Sequence, residues 1–310
     1  MKRIQYSRYG GPELMRVEDF QLPAPGNGEV AVQVKFAAIN PIDWKLRHGQ
    51  MKIVTGNAFP RPMGMDFSGT VISVGPGVTR YKAGDSVFGL ARLKESGALG
   101  EAVVTKENFL ATKPENISFE AAACLGTPGV TAWNGLIDKA KLRMGQHVFI
   151  NGCAGAVGQA AVQIAQLFGA VVSGSCSAGD MKRATSMGVQ HVYDYRTTDL
   201  SAVTTRFDVV YDTAATMTVS GGLAMRRRGG VFLDLNPGPG KLVRSLFDRR
   251  LKPIIGSPRA DILEKLASAA RENRFSIPVG ETVSLNGAIQ LITELEKGRK
   301  LGGKGVVAME

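Results

Sequence analysis

The chain has 310 residues, 44% of them hydrophobic, and a formal net charge of +11, so it can bury a substantial core and is expected to form two domains. Its three cysteines are widely spaced, which excludes a disulfide framework and a zinc knuckle, and no apolar run approaches the length of a transmembrane helix. The basic residues are scattered rather than gathered in one stripe, which favours attraction of an anionic cofactor over binding of nucleic acid. We therefore expect a soluble, cytoplasmic protein with no nucleic-acid partner and no membrane contact.

The N-terminal part of the chain is predicted to be rich in β-strand. Hydrophobic and polar residues alternate from Val30 to Phe36, which is typical of a half-buried strand that follows the turn at 25–28. A short helical turn is expected to begin near Pro41. Residues 62–90 place short apolar runs between glycines and prolines, which indicates a small antiparallel, barrel-like body.

Strands and helices alternate from about Thr127. Strands are predicted at 147–150, 170–173, 190–193, 208–212, 230–235 and 252–255, and helices at 157–168, 179–187 and 218–226. Strands separated by helices in this way are typical of α/β proteins with a doubly wound parallel sheet. Helices are also expected at 260–273 and 287–298, and a strand at 304–309.

The stretch from His147 to Ser177 contains a strand, three spaced glycines, a helical pattern and a second strand, the order of the mononucleotide-binding unit of a Rossmann fold. One glycine would permit a tight turn, one would let the backbone approach a pyrophosphate, and one would let helix and strand pack closely; they are Gly152, Gly155 and Gly158. The helix N-terminus would bind the phosphates through its free N–H groups. The alternative is a glycine-rich turn that binds nothing, which fits any one glycine but explains all three poorly.

Several motifs occur in an order that resembles the medium-chain dehydrogenase/reductase superfamily. They are N-P-x-D at 40–43, G-x-D-x-x-G-x-V-x-x-V-G at 64–75, G-D-x-V-x-G at 84–89, GVTAW at 129–133, DYR at 194–196 and GKGVV at 303–307. The resemblance is closer to the zinc-independent quinone oxidoreductase and enone reductase branch, and it covers nearly the whole chain.

This resemblance implies two domains. A GroES-like, β-rich, barrel-like catalytic domain would consist of residues 1–122 and 274–310, and a Rossmann domain that binds NADP would consist of residues 123–273. The family is often dimeric through the edge of the nucleotide-binding sheet, so a homodimer is expected as well.

The zinc-bearing relatives differ from this chain at two positions. They place a cysteine near the position of Asn40 and a histidine in a G-H-E motif, where this chain has Met65. A thioether and an amide are poor zinc ligands. The cysteine-rich structural zinc loop of those relatives is missing from the sequence as well, so no metal site is predicted.

The end of the second Rossmann strand favours NADPH over NADH. An acid normally binds the adenosine ribose of NAD here, but this chain has no acid between Ser173 and Asp180. The hydroxyl of Ser177 and the cation of Lys182 would bind a 2′-phosphate, and Arg183 could approach it. The alternative is that the two basic residues only solvate a helix.

The resemblance and the fold extend the predicted cofactor site. The resemblance assigns Tyr195 and Arg196 to the pocket of the 2′-phosphate and Thr131 to the nicotinamide, and ligands of such sheets bind at the carboxyl ends of the strands, near the segment 235–237. The full set of predicted cofactor contacts is Asn40, Thr127, Thr131, Gly152, Ala154, Gly155, Ala156, Val157, Gly158, Ser175, Ser177, Lys182, Tyr195, Arg196, Thr213, Leu235 and Asn236.

Two side chains, one in the N-P-x-D motif and one just after it, are the candidates for catalysis. Asn40 could donate its amide to the nicotinamide or to the substrate oxygen, and Lys45 could supply positive charge to an oxyanion, although a solvated surface lysine explains Lys45 equally well. Asp43 and Arg47 are expected to pair structurally within the turn.

The reaction class follows from the residues that are missing from the sequence. Reduction of a simple ketone needs a Lewis acid or a strong proton relay, and neither a zinc ligand set nor a Tyr-x-x-x-Lys pattern is present. A quinone or an α,β-unsaturated carbonyl delocalises the charge, so hydrogen-bond donors suffice. We predict an NADPH-dependent, zinc-free reductase of a small-molecule quinone or enone. The alternatives are a nucleotide-binding regulatory or structural homologue with little turnover, with RNA binding as one option, and an enzyme of a biosynthetic pathway.

Overall fold

A computed structural model describes residues 1–236 and 238–309. Pro237, which the sequence predicts to lie near the nicotinamide, is outside the described residues. The chain divides into two compact units. Unit 1 is Met1–Thr127 together with Pro258–Glu310, and unit 2 is Pro128–Ser257.

Unit 1 begins with short strands and helices in the predicted β-rich region. The strands are β1 (Lys2–Tyr6), β2 (Met15–Asp19), β3 (Glu29–Ala38), β4 (Arg61–Pro62), β5 (Asp66–Val74), β6 (Ser86–Leu90), β7 (Ala102–Lys106) and β8 (Leu110–Thr112). The helices are α1 (Pro41–Arg47), α2 (Lys52–Thr55) and α3 (Phe119–Ala123), and α4 (Gly126–Trp133) contains the boundary between the units.

Unit 2 alternates strands and helices, as the sequence predicts. Its elements are β9 (His147–Asn151), α5 (Ala156–Leu167), β10 (Val171–Cys176), α6 (Met181–Ser186), β11 (His191–Asp194), β12 (Phe207–Asp212), α7 (Val219–Ala224), β13 (Arg226–Asp234), α8 (Pro239–Phe247) and β14 (Leu251–Pro253). The strands form one parallel sheet in the order β11-β10-β9-β12-β13-β14. Strand β9 is central, and Val148, Phe149 and Ile150 have no exposed surface, which explains their uninterrupted apolar run.

The chain then returns to unit 1 through α9 (Ala260–Arg271), β15 (Val279–Ser284), α10 (Leu285–Glu296) and β16 (Lys304–Ala308). Strand β16 pairs with β3 in a sheet whose order is β15-β16-β3-β5-β6-β8, while β7 also pairs with β3 and a second sheet has the order β2-β1-β4. Phe67, Leu99 and Leu291 belong to the hydrophobic core of this unit, which brings α10 onto the strands.

The unit boundaries differ from the predicted domain limits. The resemblance predicts that the chain returns to the β-rich domain at residue 274, whereas α9 already packs against β8 of unit 1. Its buried residues Ile262, Leu263 and Leu266 lie on one face of the helix, so burial of that face draws the whole helix into unit 1. The boundary therefore falls at residue 258 on this side and at residue 127 on the other.

The predicted fold class is confirmed, a doubly wound parallel sheet together with a β-rich domain. Helix α8 has no counterpart among the predicted elements, because none of its residues is buried and its apolar residues follow a Gly-Pro-Gly sequence that suggests a loop. Among the described residues, no helix combines the length and the apolar character needed to cross a membrane.

Candidate functional site

The glycine loop of unit 2 connects β9 to α5. Gly152 has φ +80°, which side chains rarely allow, and the N–H groups of Gly152 and Cys153 both donate to the carbonyl of Ser175, each at 3.0 Å. The loop is therefore held against the end of β10. Helix α5 begins at Ala156, directly after it.

The three predicted glycines serve different purposes. A Cβ added to Gly158 would lie 2.1 Å from the carbonyl oxygen of Gly152, so this glycine permits close packing of helix and loop. Gly155 has no such constraint, because an added Cβ would meet nothing closer than the Gly152 oxygen at 3.4 Å. The fold alone thus requires Gly152 and Gly158, and the open space at Gly155 suits a ligand that approaches the backbone.

The N-terminus of α5 is open to an anion. No side chain caps this end, and the N–H groups of the first turn, at Ala156, Val157 and Gly158, precede the first intrahelical hydrogen bond, from Gln159 to Gly155 at 2.8 Å. Unpaired N–H groups and the helix dipole favour a phosphate. These residues fit the pyrophosphate of a dinucleotide.

An ion pair forms beside the end of β10. Asp180 accepts a hydrogen bond from the hydroxyl of Ser177 at 2.6 Å and pairs with Arg183 at 2.7 Å. Arg183 also donates to the carbonyl of Ala154 in the glycine loop at 3.1 Å. The predicted approach of Arg183 to a 2′-phosphate stays a prediction. The contact of Asp180 with the Ser177 hydroxyl is not predictable from the sequence, because it depends on the turn between β10 and α6.

The remaining basic residues of this region are more open. Lys182 is exposed, and the guanidinium of Arg196 lies 5.7 Å from the ring centre of Tyr195, which is itself exposed. The N–H of Tyr195 donates to the carbonyl of Cys176 at 3.2 Å, next to Ser177. The structure therefore brings together Ser177, Tyr195 and Arg196 at the carboxyl ends of β10 and β11.

Several predicted contacts belong instead to a buried polar network beneath the loop. Ser175 donates its hydroxyl to Asn151 Oδ1 at 2.6 Å, and Thr213 donates its hydroxyl to the carbonyl of Asn151 at 2.7 Å. The amide of Asn151 in turn donates to Asp212 at 2.7 Å. The hydroxyls of Ser175 and Thr213 therefore stabilise the ends of the strands in this structure rather than pointing to a ligand.

The carboxyl end of β13 carries a buried acid. Asp234 has no exposed surface, accepts the N–H of Asn236 at 2.8 Å and pairs with the ammonium of Lys241 on α8 at 2.6 Å. These contacts fix the segment of Leu235 and Asn236, and Asn236 is exposed. Asp234 and Lys241 were not predicted, since only the packing of α8 brings the lysine back to the strand.

Thr131 lies on α4 and is nearly buried. Its carbonyl accepts a hydrogen bond from the phenol of Tyr211 at 3.0 Å, and a Cβ added at Gly256 would lie 3.5 Å from its hydroxyl. The predicted contact of Thr131 with the nicotinamide stays a prediction.

A second polar cluster lies inside unit 1 around Asn40. Its amide nitrogen donates to the carbonyl of Ala38 at 3.1 Å and to Asp66 at 3.0 Å, and its amide oxygen accepts from the ammonium of Lys304 at 2.5 Å. Because an ammonium only donates and a carboxylate only accepts, these partners fix the amide orientation. Both amide hydrogens are committed, so the predicted donation from Asn40 to the nicotinamide or substrate has no free N–H to make it.

Lys304 is the residue that the sequence analysis missed in this cluster. It is buried, and it also donates to the carbonyl of Ile39 at 2.5 Å. In the sequence, Lys304 stands out only as part of the motif GKGVV of the resemblance. Its distance in sequence from Asn40 concealed the contact, which forms because β16 pairs with β3.

The two acids of the cluster are buried beside this ammonium. Burial raises the pKa of Asp43 to about 7, against the opposing effects of the Asn40 N–H and of Lys304. Burial also raises the pKa of Asp66, opposed by Lys304 and by hydrogen bonds from Thr127 and Asn40. Asp43 Oδ2 accepts the N–H of Asn40 at 2.8 Å, while its Oδ1 has no hydrogen-bond partner in the described part of the chain.

Two other predicted residues of unit 1 behave differently. Thr127 donates its N–H and its hydroxyl to Asp66, at 2.9 and 2.6 Å, so both groups stabilise the cluster. Lys45 is half-buried on α1, and no described residue pairs with its ammonium. The expected pairing of Asp43 with Arg47 is wrong, because Arg47 pairs with Glu296 on α10 instead.

The positions at which zinc-bearing relatives hold a metal carry different chemistry here. The Asn40 oxygen faces the ammonium of Lys304, and the sulfur of Met65 lies 3.9 Å from the hydroxyl of Ser96. Within the described ranges, no group of His, Cys, Asp and Glu side chains is arranged to hold a metal ion.

Comparisons with known proteins agree with this architecture. A sequence model of the alcohol dehydrogenase GroES-like domain matches residues 26–115, and a model described as zinc-binding dehydrogenase matches residues 187–307. The structure of the quinone oxidoreductase from Coxiella burnetii aligns with a TM-score of 0.89 at 26% identity and covers 100% of this chain and 99% of that one.

Curated relatives are similar over most of the chain. The quinone oxidoreductase of Rattus norvegicus is 30% identical over 238 residues, which cover 74% of this chain and 71% of the rat protein. The 2-methylene-furan-3-one reductase of Solanum lycopersicum is 34% identical over 221 residues, which cover 68% of this chain and 56% of the tomato protein.

A GroES-like unit joined to a Rossmann unit with an open glycine loop defines a medium-chain dehydrogenase/reductase, a class of oxidoreductase that binds a nicotinamide dinucleotide. Within that superfamily, the chain belongs to the quinone oxidoreductase family.

Proposed function

We propose that the protein is an NADPH-dependent, zinc-free reductase that delivers hydride to a quinone or an α,β-unsaturated carbonyl. The observation that carries the proposal is the cluster of Asn40, Asp66 and Lys304. Where zinc-bearing relatives have metal ligands, this chain has a contact between the Asn40 amide and the Lys304 ammonium. An acceptor that delocalises its own negative charge suits such a site. The names of the rat and tomato relatives support the same two acceptor classes.

The dinucleotide is expected to bind through backbone groups of unit 2. The N–H groups of Ala156 and Val157 would hold the pyrophosphate, and the missing side chain at Gly155 would let it approach. When bound, the nicotinamide would supply the hydride. Thr131 and Asn236 are proposed to orient that ring, since positioning supplies much of the rate enhancement in such reactions.

Preference for the 2′-phosphate of NADPH is proposed from the charges near Ser177. The carboxylate of Asp180 would repel this phosphate, but the guanidinium of Arg183 lies 2.7 Å from that carboxylate and neutralises its charge. Lys182 and Arg196 then remain as exposed cations in the same region. Guanidinium and ammonium groups favour a phosphate dianion over a ribose hydroxyl.

Lys45 is proposed as the group that stabilises the developing oxyanion. Its support is that Lys45 is a half-buried residue of α1 whose ammonium pairs with no described acid. Asn40 is assigned a positioning role, because its hydrogen bonds hold Asp66 and Lys304 together and anchor the start of the same helix.

The direct test is the consumption of NADPH and NADH with a panel of quinones, enones and alkenals. We expect turnover with at least one class and preference for NADPH. Tight NADPH binding without turnover on any acceptor would instead favour the nucleotide-binding homologue with little activity. Absence of both binding and turnover would contradict the proposal altogether.

The role of Lys45 has its own matched test. Lys45→Met should lower kcat by about 100-fold at unchanged Kd for NADPH, because loss of an oxyanion-stabilising group acts on the transition state. Lys52→Met, which removes an exposed lysine on the neighbouring helix α2, is the control and should leave kcat unchanged. Equal kcat in the two variants would remove Lys45 from the mechanism.

The homodimer stays a prediction that sedimentation velocity can test.

A further inference from the structure

The turn after β10 brings a carboxylate back to the end of that strand. No acid occurs in the sequence between Ser173 and Asp180, but the short turn Ala178–Asp180 folds the chain back, and the N–H of Asp180 donates to the carbonyl of Ser177 at 2.9 Å. Asp180 Oδ2 also accepts the Ser177 hydroxyl at 2.6 Å. In Rossmann folds, an acid near the end of the second strand accepts hydrogen bonds from the adenosine ribose of NAD. Asp180 therefore lies at this position in space, although it comes later in the sequence.

The side chain of Asp180 does not cap helix α6. Asp180 is the N-cap residue, where an aspartate commonly accepts an N–H of the first helical turn, but it makes no such hydrogen bond. Its Oδ1 instead accepts a hydrogen bond from the guanidinium of Arg183 at 2.7 Å. The side chains of Asp180 and Arg183 are 32% and 29% exposed, so a ligand can reach this pair. The start of the helix thus does not explain where the carboxylate points.

Arg183 connects this acid to the glycine loop. The guanidinium nitrogen that pairs with Asp180 also donates to the carbonyl of Ala154 at 3.1 Å. The guanidinium is therefore held between the glycine loop and the end of β10, which suits a 2′-phosphate, but its charge is balanced by the carboxylate. The Ser177 hydroxyl has a single hydrogen, and Asp180 accepts it. A 2′-phosphate has to compete with Asp180 for both donors.

The two cofactors make opposite demands on this acid. NADH presents ribose hydroxyls, and a carboxylate oxygen that already accepts one hydrogen bond can accept another from them. NADPH presents a phosphate dianion, which the carboxylate repels and which needs the donors that the carboxylate holds. The contacts of Asp180 therefore favour NADH, whereas the exposed cations of Lys182 and Arg196 act in the opposite direction.

We propose that Asp180 is a specificity-determining residue of the cofactor site, which lets the enzyme use NADH as well as NADPH. With NADH bound, its carboxylate accepts the ribose hydroxyls. With NADPH bound, Ser177 and Arg183 exchange the carboxylate for the 2′-phosphate. This role rests on the proposed dinucleotide site and refines the proposed preference for NADPH, which Asp180 keeps small.

Titration with each cofactor tests the role of Asp180 without any turnover. Asp180→Asn keeps the size of the side chain and removes its charge. The Kd for NADPH should fall by about tenfold, because Arg183 becomes available to the phosphate. The Kd for NADH should rise by about tenfold, because a neutral amide oxygen is a weaker acceptor than a carboxylate. Fluorescence titration at constant ionic strength measures both values, and thermal unfolding shows that the variant is folded.

Asp248→Asn is the matched control. Asp248 also pairs with an arginine, Arg250, through hydrogen bonds of 2.6 and 2.8 Å, but it precedes β14 and so lies at the amino end of the sheet, away from the end where such sheets bind ligands. Its replacement changes the net charge by the same amount and should leave both Kd values unchanged. If the ratio of the two Kd values is the same in Asp180→Asn as in this control, the role of Asp180 is overturned.

Arg183→Met separates the exchange of partners from simple repulsion. In this background, Asp180→Asn should strengthen NADPH binding by no more than about twofold and should still weaken NADH binding, because only the first effect needs the guanidinium. The full gain in NADPH affinity without Arg183 would overturn the exchange. Wild-type protein that binds neither cofactor would contradict the proposed function itself, whereas NADPH binding with an unchanged Kd ratio in Asp180→Asn would contradict only the role of Asp180.

Discussion

The glycine loop of unit 2 and the Asn40 cluster of unit 1 are both rich in polar groups, but they satisfy these groups in opposite ways. At the start of α5, N–H groups remain without partners and Gly155 leaves space beside them. In the Asn40 cluster, an amide, an ammonium and two acids are buried against one another. The first arrangement awaits a ligand, whereas the second stabilises the fold.

The two sites differ because the start of α5 is built to bind a ligand, whereas the Asn40 cluster stabilises the fold. An unpaired donor at an open helix end costs little while water reaches it, and it gains a strong interaction when an anion binds. A buried charge without a partner costs several kcal/mol, so the Asn40 cluster has to be complete before any ligand arrives. Residue types alone do not reveal this difference, since an asparagine in a motif can serve either purpose.

The largest effect is expected from Lys304→Met, which removes the cation of the stabilising Asn40 cluster. Removal of the ammonium leaves Asp66 and the Asn40 oxygen buried without their cationic partner, so the free energy of unfolding should fall by about 3–5 kcal/mol. Urea unfolding measures this loss. Lys300→Met, at an exposed lysine of the same segment, is the control. A Lys304 variant as stable as the control would mean that the cluster does not support the fold.

Gly155→Asp tests the recognition side. A carboxylate at the entrance of α5 would repel the pyrophosphate and occupy its space, so the Kd for NADPH should rise by at least about 100-fold. Fluorescence titration measures it. Gly155→Ala adds a Cβ at an ordinary 3.4 Å contact and separates steric bulk from charge. Both variants should unfold near the wild-type temperature, and unchanged affinity of the aspartate variant would move the phosphate site elsewhere.

Asp43→Asn tests how the free energy of unfolding of the protein depends on pH through the Asn40 cluster. The pKa of Asp43 is raised to about 7 in the folded protein by burial, so the folded state binds one proton more than the unfolded state between about pH 4 and pH 7. The free energy of unfolding should therefore fall as pH rises through this window, by up to about 1.4 kcal/mol per pH unit from this group. The asparagine variant should lose that part of the slope.

The measurement for Asp43 is urea unfolding at several pH values across the window. Asp19→Asn, which removes a carboxylate that is 81% exposed, is the matched control and should keep the wild-type slope. Identical slopes for the Asp43 variant and the wild type would mean that the acid does not titrate there.

The smallest effect is expected from Lys182→Glu, which changes the charge near the proposed 2′-phosphate. The Kd for NADPH should rise by about tenfold and that for NADH should change little, because only NADPH carries a phosphate there. Lys139→Glu, at another exposed lysine of unit 2, should leave both values unchanged. Equal shifts for the two cofactors would assign Lys182 to general solvation of α6.

Much of the fold was accessible from the sequence because its signals are local. The apolar run at 148–150 and the glycines behind it predict a buried strand and a loop, and both are present. Helix α8 was missed because its apolar residues face outward, against the rule that makes amphipathic helices recognisable.

The site was harder to predict than the fold because its contacts join distant segments. Lys304 lies 264 residues after Asn40, and only the pairing of β16 with β3 brings them together. Asp180 was noted as an acid, but its contacts with Ser177 and Arg183 depend on a turn whose geometry the sequence does not specify.

The position of Lys304 near the end of the chain also determines the order in which the two units can fold during translation. Unit 2 lies within a continuous stretch of chain, so it can fold while residues beyond 258 are still in the ribosome. Unit 1 cannot be completed at that stage, because the cluster of Asn40 and Asp66 needs the ammonium of Lys304, which is translated more than two hundred residues later. The emerging chain therefore carries a folded nucleotide domain together with an incomplete unit 1, in which residues 36–38 of β3 lack their second strand partner until β16 pairs with them.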